Sequence, residues 1–312
     1  MPLPHGAFTP VWDRAMINRR SHPWISRLRK LPMLISPYTR RDRRDLMHLL
    51  HYDQYLHIHL DWNTVDEWIN EPNTPIFLAW EGKQAVGVMA ASLPLGGASW
   101  IRLIALRPDL NADEILAALW ASLKARLLEL GTGEMAVLVL RPWVAACAEK
   151  LGFAQGNTIV TLRREGNTVP PALRSDVQIL MGNWRETPAV VDIDHAAFAP
   201  VWRLNEASLR QAARSSASFT LAELDGQMVA YQISMLYTQD AHLSRLATIP
   251  EQQGQGIAAT LLTAVIEQFA RRGVDSMTVN TQQSNVQSLA LYHRYGFQAT
   301  GLNMDVWFCQ IG

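Results

Sequence analysis

Apolar residues recur every four positions in two places: Ile115, Leu119, Leu123 and Leu127, and again Ile257, Leu261, Val265 and Phe269. That spacing keeps side chains on one face of a helix, so each set predicts a long helix with a buried face. The two sets belong to a repeat, because moving 102–131 onto 244–273 also brings Pro108 onto Pro250 and Gly131 onto Gly273. Glycine there is the residue that ends a helix in a left-handed conformation. EMAVLVL (134–140) answers DSMTVNT (275–281), each a buried strand, and EKLGF (149–153) answers HRYGF (293–297). IFLAWEGKQAVGVMAA (76–91) and FTLAELDGQMVAYQIS (219–234) each read as two strands around a Glu-Gly or Asp-Gly turn, a strong hairpin signal.

Each half thus predicts a strand, one or two helices, a hairpin, a further strand, the long helix, another strand, a last helix and a closing strand. This is an α/β unit, an α+β mixed sheet, present twice in tandem. The polar, proline-containing REGNTVPPALRS (164–175) reads as the connection. The expected divisions are an extension at 1–31, a first domain at 32–166, a linker at 167–175 and a second domain at 176–312. AFTPVW (7–12) resembles AFAPVW (197–202) but is out of register with the repeat, and is set aside as coincidence.

Length and composition agree with two domains: 312 residues, 48% hydrophobic, enough for well-filled cores. The formal net charge is zero, so no global field draws nucleic acid or an acidic surface. The basic residues are uneven. Arg14, Arg19, Arg20, Arg27, Arg29, Lys30, Arg40, Arg41, Arg43 and Arg44 face only Asp13 and Asp42 within the first 44 positions. Such a segment either steers an anionic substrate or is a solvated arm packed by Trp12 and Trp24. Cys147 and Cys309 are too few for a disulfide framework, and neither a signal peptide nor an 18-residue apolar run is present. A cytoplasmic protein without a membrane span is expected.

Chemistry concentrates in the second half. In PEQQGQGIAATLL (250–262), glycines precede an aliphatic helix. A strand, a glycine-rich turn and a helix start aim consecutive backbone N–H groups at one spot, where the helix dipole also favours negative charge. Taken alone, the stretch is either a phosphate cradle or a loop without a ligand. In SNVQSLALYHRYGF (284–297), Asn285, Ser288, Tyr292 and Tyr295 share one helical stripe beside an apolar face.

Together these two clusters resemble the GNAT superfamily of acyl-CoA-dependent N-acetyltransferases. Gln253, Gly256 and Ala258 match its Arg/Gln-x-x-Gly-x-Gly/Ala signature, and Asn285 and Tyr292 match an Asn and a Tyr ahead of Gly296-Phe297. The resemblance covers 176–312. It implies transfer of an acetyl group from acetyl-CoA to a primary amine of a small molecule, peptide or protein N-terminus, by direct attack and with no metal. It also implies that Leu246, Ala247 and Thr248 offer main-chain groups to pantetheine where the fourth and fifth strands splay. Amides across Gln253, Gly254, Gln255, Gly256, Ile257 and Ala258 would hold the pyrophosphate, Asn285 would touch pantetheine or phosphate, and Tyr292 would protonate the departing thiolate. A phenol near pKa 10 suits a thiolate whose acid lies near 8.5.

Around 196–202 and 284–297 the second half resembles ribosomal-protein alanine acetyltransferases, which carry a glutamate where this chain has Asn280. His242, Asp240 or a water held by Asn280 is left as the base. Trp202, Trp307 and Tyr237 are the aromatic candidates for the acceptor walls. The first half departs further. Asn111-Ala112-Asp113-Glu114 caps its own helix and puts two carboxylates where a pyrophosphate would lie, while Ala148 and Arg141 stand at the positions of Tyr292 and Asn285. It reads as a degenerate GNAT-like domain, in the tandem manner of mycothiol synthases. The other readings are transfer of a larger acyl group, or acyl-CoA sensing and partner binding without turnover.

Overall fold

The computed structural model describes residues 32–166, 168–171, 174, 176–238 and 240–312. The extension at 1–31, with AFTPVW, lies outside the described residues. From Met33 onward the chain is one compact unit. Its first half runs β1 (Met33–Pro37), α1 (Arg43–Leu49), β2 (Leu56–Ile58), α2 (Val65–Trp68), β3 (Ile76–Glu81), β4 (Gln84–Ala91), β5 (Ala98–Leu106), α3 (Ala112–Glu129), β6 (Glu134–Val139), α4 (Pro142–Lys150) and β7 (Ala154–Glu165). The second half runs β8 (Gln178–Met181), α5 (Thr187–Ala197), α6 (Glu206–Ser215), β9 (Ser218–Leu224), β10 (Gln227–Tyr237), β11 (Asp240–Thr248), α7 (Ile257–Arg271), β12 (Ser276–Gln282), α8 (Val286–Arg294) and β13 (Gln298–Gln310).

Both long helices bury the faces that the four-residue spacing marks. Ile115, Leu119, Leu123 and Leu127 on α3, and Ile257, Leu261, Val265 and Phe269 on α7, are all buried against the sheet. Both hairpins, β3–β4 and β9–β10, form at the Glu-Gly and Asp-Gly turns.

All the strands among the described residues join one mixed sheet in the order β1-β3-β4-β5-β6-β13-β7-β12-β11-β10-β9-β8, with β2 added on β5. The closing strands are exchanged. β7 ends the first half but pairs with β12 of the second, Leu162 opposite Val279, and β13 pairs with β6 of the first, Val306 opposite Leu138. β7 and β13 pair with each other between them. Leu162 therefore joins the second half's core, whereas Trp307 and Cys309 pack on the first half's. This corrects the reading of Trp307 as an acceptor-site wall. A closing strand has the same length and alternation whichever neighbour it joins, so the repeat pattern does not reveal the exchange.

Candidate active site

β11 and β12 run parallel, and their pairing stops at Leu243 opposite Val279, while β10 follows β11 as far as Thr248. The strands splay beyond that point, leaving one edge of β11 open. Ile249 N–H donates to Val229 O, so ladder alternation turns the main chain of Ala247 toward β10 and those of Leu246 and Thr248 toward the gap. The Thr248 carbonyl accepts from Gln253 Nε2 at 3.0 Å. A cavity of about 740 Å³ follows this edge, and Leu246, Ala247, Thr248, Gln253, Gly254, Gln255, Gly256, Ile257, Ala258, Asn285 and Tyr292 all line it.

Gly254 and Gly256 hold the turn open with φ of 74° and 86°, a left-handed conformation that costs any other L-residue about 1–2 kcal/mol. Gly256 is the N-cap of α7 and supplies no side chain to it. Among the described residues, no protein acceptor takes the amides from Gly254 through Ala259. Two buried oxygens on the same wall, Thr248 Oγ1 and Gln252 Oε1, also lack partners. Unpartnered donors at a helix start, a neighbouring glycine loop and a long cleft fit a pyrophosphate with an extended amide-bearing arm.

The first half has the same splay, with β5–β6 pairing ending at Ile101 opposite Val137. There the gap is filled. β2 pairs antiparallel with β5, Leu56 opposite Ala105, His57 opposite Ile104 and Ile58 opposite Leu103, and His59 N–H continues the ladder to Arg102 O at 2.9 Å. Leu103, Ile104 and Ala105 are the repeat equivalents of Arg245, Leu246 and Ala247. Arg141, at the position of Asn285, ties the segment down through Asp53 O (2.8 Å) and Oδ1 (3.0 Å). α3 also begins one turn earlier than α7. Asn111 accepts from Glu114 N–H, and Asp113 pairs with Lys150 at 2.6 Å. Charge repulsion thus has a second cause beside it: the chain itself occupies the cleft. Three residues are too short for an alternation signal, and sequence reasoning missed β2.

His57 on β2 is buried, and among the described residues neither ring nitrogen makes a hydrogen bond of good geometry, the Ile101 backbone offering only a weak one. Burial brings its pKa down to about 4, opposed by the weak Ile101 backbone contact and helped slightly by the Arg102 charge. Above 6.5 the ring is neutral in both folded and unfolded chains; as pH falls from 6.5 toward 4 only the unfolded chain takes the proton, and stability is lost. Between pH 7 and 4.5 we expect wild type to lose about 2–3 kcal/mol more than His57→Leu, measured by urea unfolding. Equal losses would remove His57 from the acid response.

Asn285 caps α8, its Oδ1 accepting from Ser288 N–H at 3.0 Å. The stripe read from the sequence then divides by role. Tyr295 is structural, its hydroxyl donating to Ala259 O (2.9 Å) and meeting Thr263 Oγ1 (3.1 Å), which locks α8 to α7. Tyr292 packs on Phe297 and borders both the long cavity and a smaller one at the splay point. Burial alone pushes its pKa well above the usual tyrosine range, so the hydroxyl keeps its proton.

A second cavity of about 360 Å³ lies across the splay point, sharing Trp202, Arg245 and Asn280 with the smaller one. The first half supplies His59, Asp61, Trp62, Trp100 and Arg102, and the second Trp202, Arg203, Tyr237, His242 and Arg245. Asp240 lines neither; it is bound by Arg163 at 2.8 Å and by Ser276. Asn280 Oδ1 accepts from Thr161 on the exchanged β7. Trp100 donates to Val201 O at 2.6 Å and its ring centroid lies 5.3 Å from that of Trp202, joining the halves beneath this cavity.

The wall carrying Trp202 is fixed by a buried network absent from the sequence reading. Asp194, fully buried, accepts from Arg245 Nη2 (2.6 Å), Tyr231 Oη (2.5 Å) and Leu204 N–H (2.9 Å), and Arg245 also donates to Trp202 O (2.7 Å). The partners lie far apart in sequence, and no local pattern marks them.

A splayed parallel strand pair, a glycine turn at a helix start and a capped last helix are features of acyl-CoA-dependent transferases. The acetyltransferase (GNAT) family profile matches residues 185–297. Residues of this chain are 30% identical over 122 positions to the ribosomal protein bS18-alanine N-acetyltransferase of Escherichia coli K12, 39% of this chain and 81% of that protein. Among solved structures, the tandem GNAT protein of the clavulanic acid biosynthesis pathway aligns with TM-score 0.61 at 15% identity, covering 90% of this chain and 99% of that one. A GCN5-related N-acetyltransferase from Sphaerobacter thermophilus aligns with TM-score 0.56 at 14% identity, covering 90% and 97%. The chain belongs to the GNAT family and is an acyl-CoA-dependent N-acetyltransferase of tandem form. Acetyl-CoA use follows from the family. Among the described residues no helix is long and apolar enough to cross a membrane, and no group of side chains is placed to hold a metal ion.

Proposed function

We propose that 176–312, completed by β7, is the working acetyltransferase and acts on a primary amine, with 32–166 as a degenerate partner that walls the acceptor site. The observation that carries this is the row of amides from Gly254 to Ala259 that meet no acceptor among the described residues, in a cavity that Tyr292 also lines. Acetyl-CoA supplies the activated acyl thioester. The cleft edge at Leu246 and Thr248 aligns it, the amides at the start of α7 take its pyrophosphate, and Asn285 keeps the start of α8 in place. His242 is the base. Burial lowers its pKa below the ordinary imidazole value, so the ring is neutral at pH 7. Thr278 Oγ1 turns its own proton toward Ala241 O (3.4 Å) and lies 2.8 Å from Nδ1; in the Nδ1–H tautomer that nitrogen donates to it, and Nε2 carries the lone pair that takes the proton of the incoming ammonium. The neutral amine then attacks the thioester carbonyl and forms the C–N bond; as the C–S bond breaks, Tyr292 Oη delivers its proton to the departing thiolate, and the second proton of the attacking nitrogen restores the phenol.

The test is release of free thiol from acetyl-CoA in the presence of an amine panel. Tyr292→Phe and His242→Gln are each expected to slow turnover about ten-fold or more, with CoA affinity nearly unchanged by calorimetry. Wild-type rates in either variant remove that residue from the mechanism. Absence of thiol release with every amine overturns the transfer reading.

A further inference from the structure

The second cavity holds more positive than negative charge, and the excess has one owner. Arg102 pairs with Asp61 at 3.1 Å and Arg245 with Asp194 at 2.6 Å. Arg203 has no carboxylate partner among the described residues. Its Nε is held by Phe198 O at 3.0 Å, which fixes the plane of the guanidinium and leaves both terminal nitrogens for another acceptor. The first half makes room for it: a side chain at Gly96 would begin 3.2 Å from Arg203 Nη1. The histidines add no charge. Burial, then the Arg102 cation, brings His59 down to about 3, and burial lowers His242. Arg203, its guanidinium anchored at Nε, therefore lines the cavity as its cation without a carboxylate partner, beside Trp62, Trp100 and Trp202.

A half-buried cation without a counter-charge gains most from a planar anion that accepts two parallel N–H bonds. We propose that the acceptor is a small primary amine that also carries an anionic group, with an apolar body against the tryptophans, and that Arg203 is the residue selecting it. This rests on the transfer reading for the location of the acceptor site. The volume suits a small molecule, since about 300 Å³ is the lower end of ligand pockets.

The cavity carries its own reporter in the tryptophans, so binding is measurable without turnover. Intrinsic fluorescence of the full chain, in the presence of CoA, is titrated with leucine against leucinamide and with 2-aminoethylphosphonate against propylamine. The expected result is that at least one anionic member binds about ten-fold or more tightly than its neutral counterpart, and that Arg203→Gln erases the difference. A preference for leucine assigns a carboxylate; a preference for the phosphonate assigns a phosphate-like group. Equal affinity within both pairs, no binding by any of the four, or a preference that survives Arg203→Gln overturns the proposal. Thiol release with the same amines separates the two readings: a preference without turnover defeats transfer and leaves the anion-selecting site standing.

Discussion

Gly256→Glu is expected to abolish CoA binding in calorimetry while the chain stays folded. Two effects add. A β-carbon-bearing residue lets the free turn relax out of the left-handed φ of 86°, and regaining it on binding costs about 1–2 kcal/mol, enough on its own for roughly ten-fold. The carboxylate then sits at the start of α7, where amides and helix dipole favour an anion, and competes with the phosphates it also repels. Gly256→Ala separates these, carrying the strain without the charge. We expect about ten-fold weaker binding in Gly256→Ala and no measurable binding in Gly256→Glu. Equal affinities in the two variants would show that charge is irrelevant to this turn.

The same comparison shows how much of the site is legible in the chain. Aligning the halves places Glu114 opposite Gly256, and that contrast is visible in the letters. Its physical form is not: 111–114 wind the cap and first turn of α3, whereas 253–256 stay out of α7 because Gly254 and Gly256 turn left-handed. The helix faces, the hairpins and the turn are local, and a window of a few residues contains their cause. The exchanged strands, the β2 plug and the Asp194 network are pairings across long separations, and each side looks ordinary on its own.

Tyr292 is an intermediate case. Its position on α8 follows from spacing, but the match between a phenol near 10 and a thiol near 8.5 assumes water around both. Burial pushes Tyr292 up. Desolvation in the same cleft raises a thiol as well, because it disfavours every anion. The role then rests on position and on a proton held at neutral pH, rather than on matched pKa values.

Asp194→Ala is expected to destabilise the fold by about 3–5 kcal/mol in urea unfolding, the usual cost of stranding one partner of a buried ion pair. The variant leaves the largely buried Arg245 guanidinium without its carboxylate, the Tyr231 hydroxyl without its acceptor and the Leu204 N–H unmade. A loss under about 1 kcal/mol would mean that the network is marginal to folding. Stability and positioning are separable by a triple variant, Asp194→Leu with Arg245→Met and Tyr231→Phe. Replacing a whole buried polar cluster with apolar residues of similar volume is often neutral, so most of the lost stability should return. The tie from Arg245 to the Trp202 carbonyl does not return, and with it goes the fixed placement of Trp202 and Arg203 beside the acceptor cavity. We therefore expect the refolded triple variant to bind CoA as wild type and to show a raised KM for the amine alone. A wild-type KM would make Asp194 and Arg245 elements of the fold with no part in holding the acceptor.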